Sequence, residues 1–305
     1  MGKTSKEFGF YPEPLRIDAG PIQIEPLPQL DEVVCGLLAS DQVEDGWINA
    51  PPQGVRDLMS GQIRHQPYTA RVFGLPQTHM IEHAGADGDE HLDFLVWVLS
   101  FFVGMRLTTT EAGFLDATPL KPRHLVDFIT GTQDISKGME LAERFWTNNR
   151  HEPRNAQRFA AAIHALFLGQ NPRALQFEEF VYLYTATDAC YKLATQFRPP
   201  GKKKLHHERI EWMCSEFGLE TPDWAKQSAS GGVEVAAIRN DALHEALYVD
   251  APLGFSVHGG GSFGNLPLEM VALICRLLVA LIGGNDPSYV GSAVDTRQRH
   301  ALKLR

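Results

Sequence analysis

The back half of the chain is written at helical spacing. From about residue 134, apolar positions recur every three to four residues, which places them along one side of a helix. Residues 135–146 (ISKGMELAERFW), 155–168 (NAQRFAAAIHALFL), 177–197 (FEEFVYLYTATDACYKLATQF) and 206–217 (HHERIEWMCSEF) follow this pattern. The breaks between them are equally clear. GQNP ends the second segment and RPPGKKK the third, and Gly218 is a C-terminal stop for the fourth. TPDW then offers Thr221 as an N-cap with Pro222 at the first helical position. After the turn SASGG, a helix is predicted over residues 233–248 (VEVAAIRNDALHEALY), with Ala236, Ala237, Leu243 and Leu247 as its apolar stripe. Residues 266–282 (LPLEMVALICRLLVALI) predict a strongly apolar final helix, stopped by Gly283 and Gly284.

The front half has another texture. Residues 8–85 are rich in Pro and Gly and poor in helical periodicity. Short alternating or β-branched segments, 15–19 (LRIDA), 22–27 (IQIEPL), 46–50 (GWINA) and 70–75 (ARVFGL), sit between breakers. They predict a small sheet with long connections. Residues 79–91 (HMIEHAGADGDEH) read as an exposed turn leading into an apolar helix near residues 92–106. The run 94–105 is too short to span a bilayer, and so is the 270–282 stretch, which contains Arg276. The predicted fold class is α+β. A β-rich N-terminal domain covers residues 1–120, and an up-and-down α-helical bundle covers 121–305, with its core at about 150–285.

Composition narrows the partners. With 305 residues and 44% apolar content the chain holds a real core, and its net charge of −9 argues against a general nucleic-acid coat. The charge is unevenly placed. Residues 1–149 carry 11 Lys+Arg against 21 Asp+Glu, and residues 150–305 carry 17 against 16. Any RNA contact is therefore expected on the back half, where Lys202, Lys203 and Lys204 form a basic run. The bland reading of that run is a solvated turn. Cys190, Cys214 and Cys275 lie in apolar helical contexts and read as buried thiols; no C-x-x-C occurs. The start of the chain lacks the apolar core of a signal peptide, which together with the thiols points to the cytoplasm.

Most of the chemistry-bearing residues do not assemble into motifs. His206 with His207 and Glu208, His79 with His83, and His91 with Asp93 match neither H-E-x-x-H nor a Cys/His quartet. Asp87 to Glu90 lacks the twelve-residue calcium pattern. No metal or cofactor is expected. The Gly-rich stretch from His258 through Ser262 could hold a phosphate on its backbone amides, although it is no P-loop; a flexible connection is the plainer reading.

Arg239, Asn240 and His244 form the sharpest constellation. On an α-helix each residue advances about 100°, so Asn240 and His244 share a face while Arg239 and His244 diverge by about 140°. By spacing alone these are most often solvated side chains. The pattern Arg239-Asn240-x3-His244 nevertheless resembles the R-x(4–6)-H signature of the HEPN superfamily, with Asn in its preferred polar position and the motif helix standing before the last helix. The likeness spans roughly residues 150–300. The layout of a strand-rich front half before it is similar to phage-defence HEPN proteins of the ApeA kind.

The resemblance implies a metal-independent endoribonuclease that cleaves RNA by 2′-OH transesterification, an anti-phage, abortive-infection or toxin effector. His244 would carry a proton, Arg239 would hold the phosphate and Asn240 would orient the ring or bind phosphate; Asp241 is more plainly a solvated helix residue. Lys202, Lys203, Lys204, His258 and Ser262 would line the RNA (tRNA or mRNA). The implied form is a homodimer with a composite site, which would resolve the 140° divergence, and the implied trigger is a phage-derived component. The alternative is a non-catalytic helical module for dimerisation or for binding nucleotide or RNA.

Overall fold

The structure is a computed structural model and describes residues 3–70, 72–109, 113–114, 117–228, 231–245, 265–295 and 298–304. The fold is α+β, with strands at the N-terminal end and helices at the C-terminal end. The chain divides into two compact units: Met1–Leu125 with Ile135–Glu143, and Val126–Asp134 with Arg144–Arg305.

The first unit is built on strands β1 (Lys3–Phe8), β2 (Ile17–Ala19) and β3 (Ile22–Pro26), helix α1 (Leu30–Leu38), strands β4 (Val43–Glu44) and β5 (Trp47–Asn49), the hairpin β6 (Pro52–Arg56) and β7 (Ile63–Thr69), then β8 (Val72–Phe73), β9 (His79–Ala84), helix α2 (Asp89–Val103), β10 (Gly113–Phe114) and β11 (Ala117–Pro119). The main sheet runs β1-β9-β3-β2, antiparallel throughout. Alternation gives it one buried face: Ile22 and Ile24 point inward while Gln23 and Glu25 point out. Helix α2 is buried on nearly every side, as an all-round apolar helix must be, and ends at Gly104 in the left-handed conformation.

Two sequence expectations are corrected here. Residues 79–84 are not an exposed turn. They form β9, a central strand that pairs with both β1 and β3, and His79, Ile81 and His83 face the interior. Histidines in the inward positions hid the period-2 pattern. They are tolerated because they have partners: His79 accepts the Leu15 amide at Nε2 (3.2 Å) and meets Thr78 Oγ1 at Nδ1 (3.0 Å). Burial lowers the pKa of His79 to about 4. Second, residues 8–85 contain a helix, α1. Only Leu30 and Leu37 of α1 are buried, so two inward contacts seven residues apart left little periodicity to read.

The β6–β7 hairpin is exposed on both faces, with Leu58 and Met59 at its tip 94% and 97% exposed.

Helix α3 (Thr132–Asn148) gives its middle, Ile135–Glu143, to the first unit and its ends to the second. The second unit continues with α4 (Arg154–Leu168), α5 (Gln176–Phe197), α6 (Arg209–Phe217), α7 (Glu234–Asn240), α8 (Leu266–Leu281) and α9 (Pro287–Val290). Strand β12 (Phe128–Ile129) pairs in parallel with β13 (His300–Ala301). Helices α4, α5, α6 and α8 pack on one another, and α8 is buried over most of its length. Cys190, Cys214 and Cys275 are buried free thiols, and Cys35 is exposed. Among the described residues no helix is long and apolar enough to cross a membrane.

Candidate active site

Three segments of the second unit bring their polar side chains together. Helix α5 contributes Tyr184, Asp188 and Tyr191, which share a face at i, i+4 and i+7. Pro199 and Pro200 end the run of α5, and residues 198–205 lead into a single 3-10 turn, His206–Glu208, from which α6 continues. The Glu208 carboxylate accepts the Leu205 amide at 2.7 Å and so fixes the turn that carries His206. The third segment is α7. Val235, Ala236 and Ile238 are buried and anchor it, which leaves Arg239 half-buried and Asn240 exposed.

After Asn240 the backbone changes winding. Asp241–Glu245 form a π turn, with i→i+5 hydrogen bonds in place of i→i+4. A wider turn advances less per residue, so positions five apart come closer in direction. The divergence of about 140° expected of an α-helix therefore does not occur. Arg239 Nη1 lies 2.5 Å from His244 Nε2, and the same Nη1 donates to Asn240 Oδ1 at 2.9 Å. Arginine, asparagine and histidine meet within one chain. The predicted apolar stripe is also overturned: Ala236 is buried but Ala237, still in α7, is exposed, and within the π turn Leu243 is 43% exposed while Ala242 takes the inward place. Leu247 lies outside the described residues.

His206 stands beside this trio, and the sequence reading did not include it among the site residues. Its Nδ1 is 3.1 Å from the Tyr184 hydroxyl. Its pKa is lowered, first by burial, then by the positive charges of Arg209 and Arg239; Asp188 opposes them and His244 adds to the lowering. Tyr184 feels the same groups. Burial first, then Asp188, push its phenol up to about 12 against the pull of Arg239 and Arg209, so it remains an O–H group. Arg209 is committed to Asp188, with Nη1 to Oδ1 at 2.7 Å, and its guanidinium covers the Tyr191 ring at 4.6 Å. Arg239 has no carboxylate partner among the described residues, and its buried Nε has no hydrogen bond there. A fork of donors without a counter-anion, two imidazoles and a neutral phenol form an arrangement suited to an oxyanion and to proton transfer. The sequence marked His206 only as part of the His206-His207-Glu208 run, and it lies thirty-three positions before Arg239.

The remaining candidates fall around this cluster or outside it. Lys202 and Lys203 are exposed and Lys204 is half-buried, in the loop that delivers His206; none makes an ion pair among the described residues. His258 and Ser262 lie outside the described residues. Thr221 is not a side-chain cap: Pro222, in an extended conformation, precedes a short 3-10 turn at Asp223–Ala225. A separate cleft of about 270 Å³ is lined by Glu220, Asp223, Glu234, Glu269 and Asp295 around Trp224, a sign of charge that repels RNA.

In the first unit, His83, His91 and Glu143 converge although the sequence separates them by up to sixty positions. Glu143 Oε2 lies 3.0 Å from His83 Nε2 and 2.8 Å from His91 Nε2. These are ligand types for a divalent cation, and the tautomer of His91 decides whether they fit one. The Asp87 amide donates to His91 Nδ1 at 3.3 Å, which leaves the ring proton on Nε2, facing the carboxylate. A ring so protonated donates a hydrogen bond and does not ligate a metal through that nitrogen. The triad therefore ties β9, α2 and α3 together by hydrogen bonds.

Compared with known proteins, the chain matches no family model, and no curated protein and no solved structure is significantly similar to it.

Proposed function

We propose that this protein is a metal-independent endoribonuclease of the HEPN type, acting as an anti-phage or toxin effector. The observation that carries the reading is the contact between Arg239 and His244 across the π turn, with Asn240 bonded to the same guanidinium. In transesterification the RNA 2′-oxygen attacks the adjacent phosphorus and the 5′-oxygen leaves, producing a 2′,3′-cyclic phosphate. The nucleophile is already in the substrate. The protein has to stabilise the added charge on the phosphoryl oxygens and to move protons. Arg239 offers a planar fork matched to phosphate oxygens. His244 is exposed to a polymeric substrate and is the proton carrier of the motif. Lys202 and Lys203 extend positive charge along the approach. Because the arginine and histidine meet within one chain, the reading does not require a second copy to complete their contact.

The test is incubation of the full chain with total RNA in excess EDTA, alongside His244→Ala and Arg239→Ala. The wild type should cut, leaving 2′,3′-cyclic phosphate ends, and both variants should lose cutting by about 10²-fold or more. Intact RNA with the wild type, or equal cutting by His244→Ala, would refute the proposal and leave the non-catalytic binding module.

A further inference from the structure

Transesterification at phosphorus needs two proton transfers. One proton leaves the 2′-oxygen as the O2′–P bond forms, and one arrives at the 5′-oxygen as the P–O5′ bond breaks. In an in-line displacement these oxygens lie on opposite sides of the phosphorus, so a single imidazole does not serve both. The Arg–Asn–His motif supplies one histidine.

We propose that His206 is the second catalytic group: its Nε2 takes the 2′-OH proton while His244 gives a proton to the departing 5′-oxygen. This rests on the ribonuclease reading above and adds a residue to it. Three observations carry it. His206 lies in the same cluster as the motif: the turn that carries it packs against α7, and Tyr184 and Asp188 from α5, Arg209 from α6, and Arg239 and His244 from the segment after Val233 are the charged and titratable groups around it. Its Nδ1 is engaged by the Tyr184 hydroxyl at 3.1 Å, so Nε2 is the nitrogen left to act; as a base the ring takes the tautomer in which Nδ1–H donates to the phenol oxygen and Nε2 keeps its lone pair. Burial and the two arginines favour the neutral ring, the form a base needs. His244 is placed differently, with Nε2 accepting from Arg239; a phosphate that draws the guanidinium to itself frees that nitrogen to take up a proton from solvent, and the imidazolium so formed gives it to O5′. The step balances: O2′–P forms, P–O5′ breaks, His206 gains one proton, His244 loses one, and the rings exchange roles when water opens the cyclic product.

The experiment uses the full chain and two forms of one short RNA, an all-oxygen strand and one with sulfur replacing the bridging 5′-oxygen at the cut. A thiolate leaves without a proton. On the oxygen strand, His206→Ala and His244→Ala should each lose about 10² to 10⁴-fold in rate. The wild-type rate should be bell-shaped in pH; His206→Ala should lose the acid limb and His244→Ala the alkaline limb. The sulfur strand should restore His244→Ala and leave His206→Ala slow, and added imidazole should restore His206→Ala, which a misfolded variant would not allow. If the wild type cuts and His244→Ala does not, while His206→Ala keeps the wild-type rate and bell, His206 has no such role and the ribonuclease reading stands. Sulfur rescue of His206→Ala overturns the assignment of base and acid. No cutting of either strand by the wild type removes both proposals.

Discussion

Arg276 Nη1 lies 2.5 Å from Asp127 Oδ2 in the second unit, and Arg276 is only 1% exposed. The guanidinium is satisfied on every side. It also donates to the carbonyls of Ala272, Ser292 and Ala293 and to Ser292 Oγ, while the Tyr289 hydroxyl donates to the other Asp127 oxygen at 2.6 Å. A buried charge of this kind is tolerated only while its partners remain. Arg276→Met should lower unfolding free energy by about 3–5 kcal/mol, because Asp127 is left without its counter-charge. Chemical denaturation measures this; a loss under about 1 kcal/mol would mean that the pair contributes little.

Glu143 should make the first unit acid-sensitive. Burial alone would raise its carboxyl, but the hydrogen bonds of His91 and His83, together with the charge these rings carry when acid protonates them, overcome this and hold it near 2, below the ordinary 4.5. A depressed folded value means that the stabilisation is complete above about pH 4.5 and is lost as pH falls towards 2. Stability curves of the wild type and Glu143→Gln should therefore be well separated at pH 6 and converge below pH 3. Parallel curves across that range would rule out this linkage.

Two helical glycines should respond in opposite directions. A Cβ at Gly138 of α3 would come within 2.5 Å of the Phe102 ring on α2, inside the first unit, whereas one at Gly36 of α1 would meet nothing within 4 Å. Gly138→Ala should destabilise by about 1–3 kcal/mol through overpacking, although the same change favours an unencumbered helix. Gly36→Ala should stabilise by about 0.5–1 kcal/mol. Thermal melts of the two variants should shift to opposite sides of the wild type.

The hairpin tip should matter little to folding. Leu58→Ser with Met59→Ser ought to change unfolding free energy by less than about 0.5 kcal/mol, since neither side chain is covered. A larger loss in denaturant titration would show that the tip is buried in solution.

The sequence was most legible where one period governs a long segment. Helices α4, α5 and α8 fall within a residue or two of the ranges that spacing predicts, because each buries one continuous stripe or is buried all round. Legibility failed where polar residues occupy inward positions. In β9 the inward side chains beside Ile81 are His79 and His83, whose burial depends on partners far along the chain, at Leu15 and Glu143. The candidate site was half legible. Its arginine, asparagine and histidine fall within six residues and are visible as a motif, but a constant advance of about 100° per residue cannot anticipate the π turn that joins them. His206 reaches the site through tertiary folding alone, thirty-eight positions from His244.

The π turn makes the reach between guanidinium and imidazole a matter of backbone winding as much as residue identity. Rewinding the same five positions as ordinary α-helix would part Arg239 and His244 by about 140°, with every functional side chain still in the protein. A lesion that straightens the turn is then a silencing one that residue-by-residue inspection would pass as intact, while a substitution at exposed Leu243 leaves the spacing untouched.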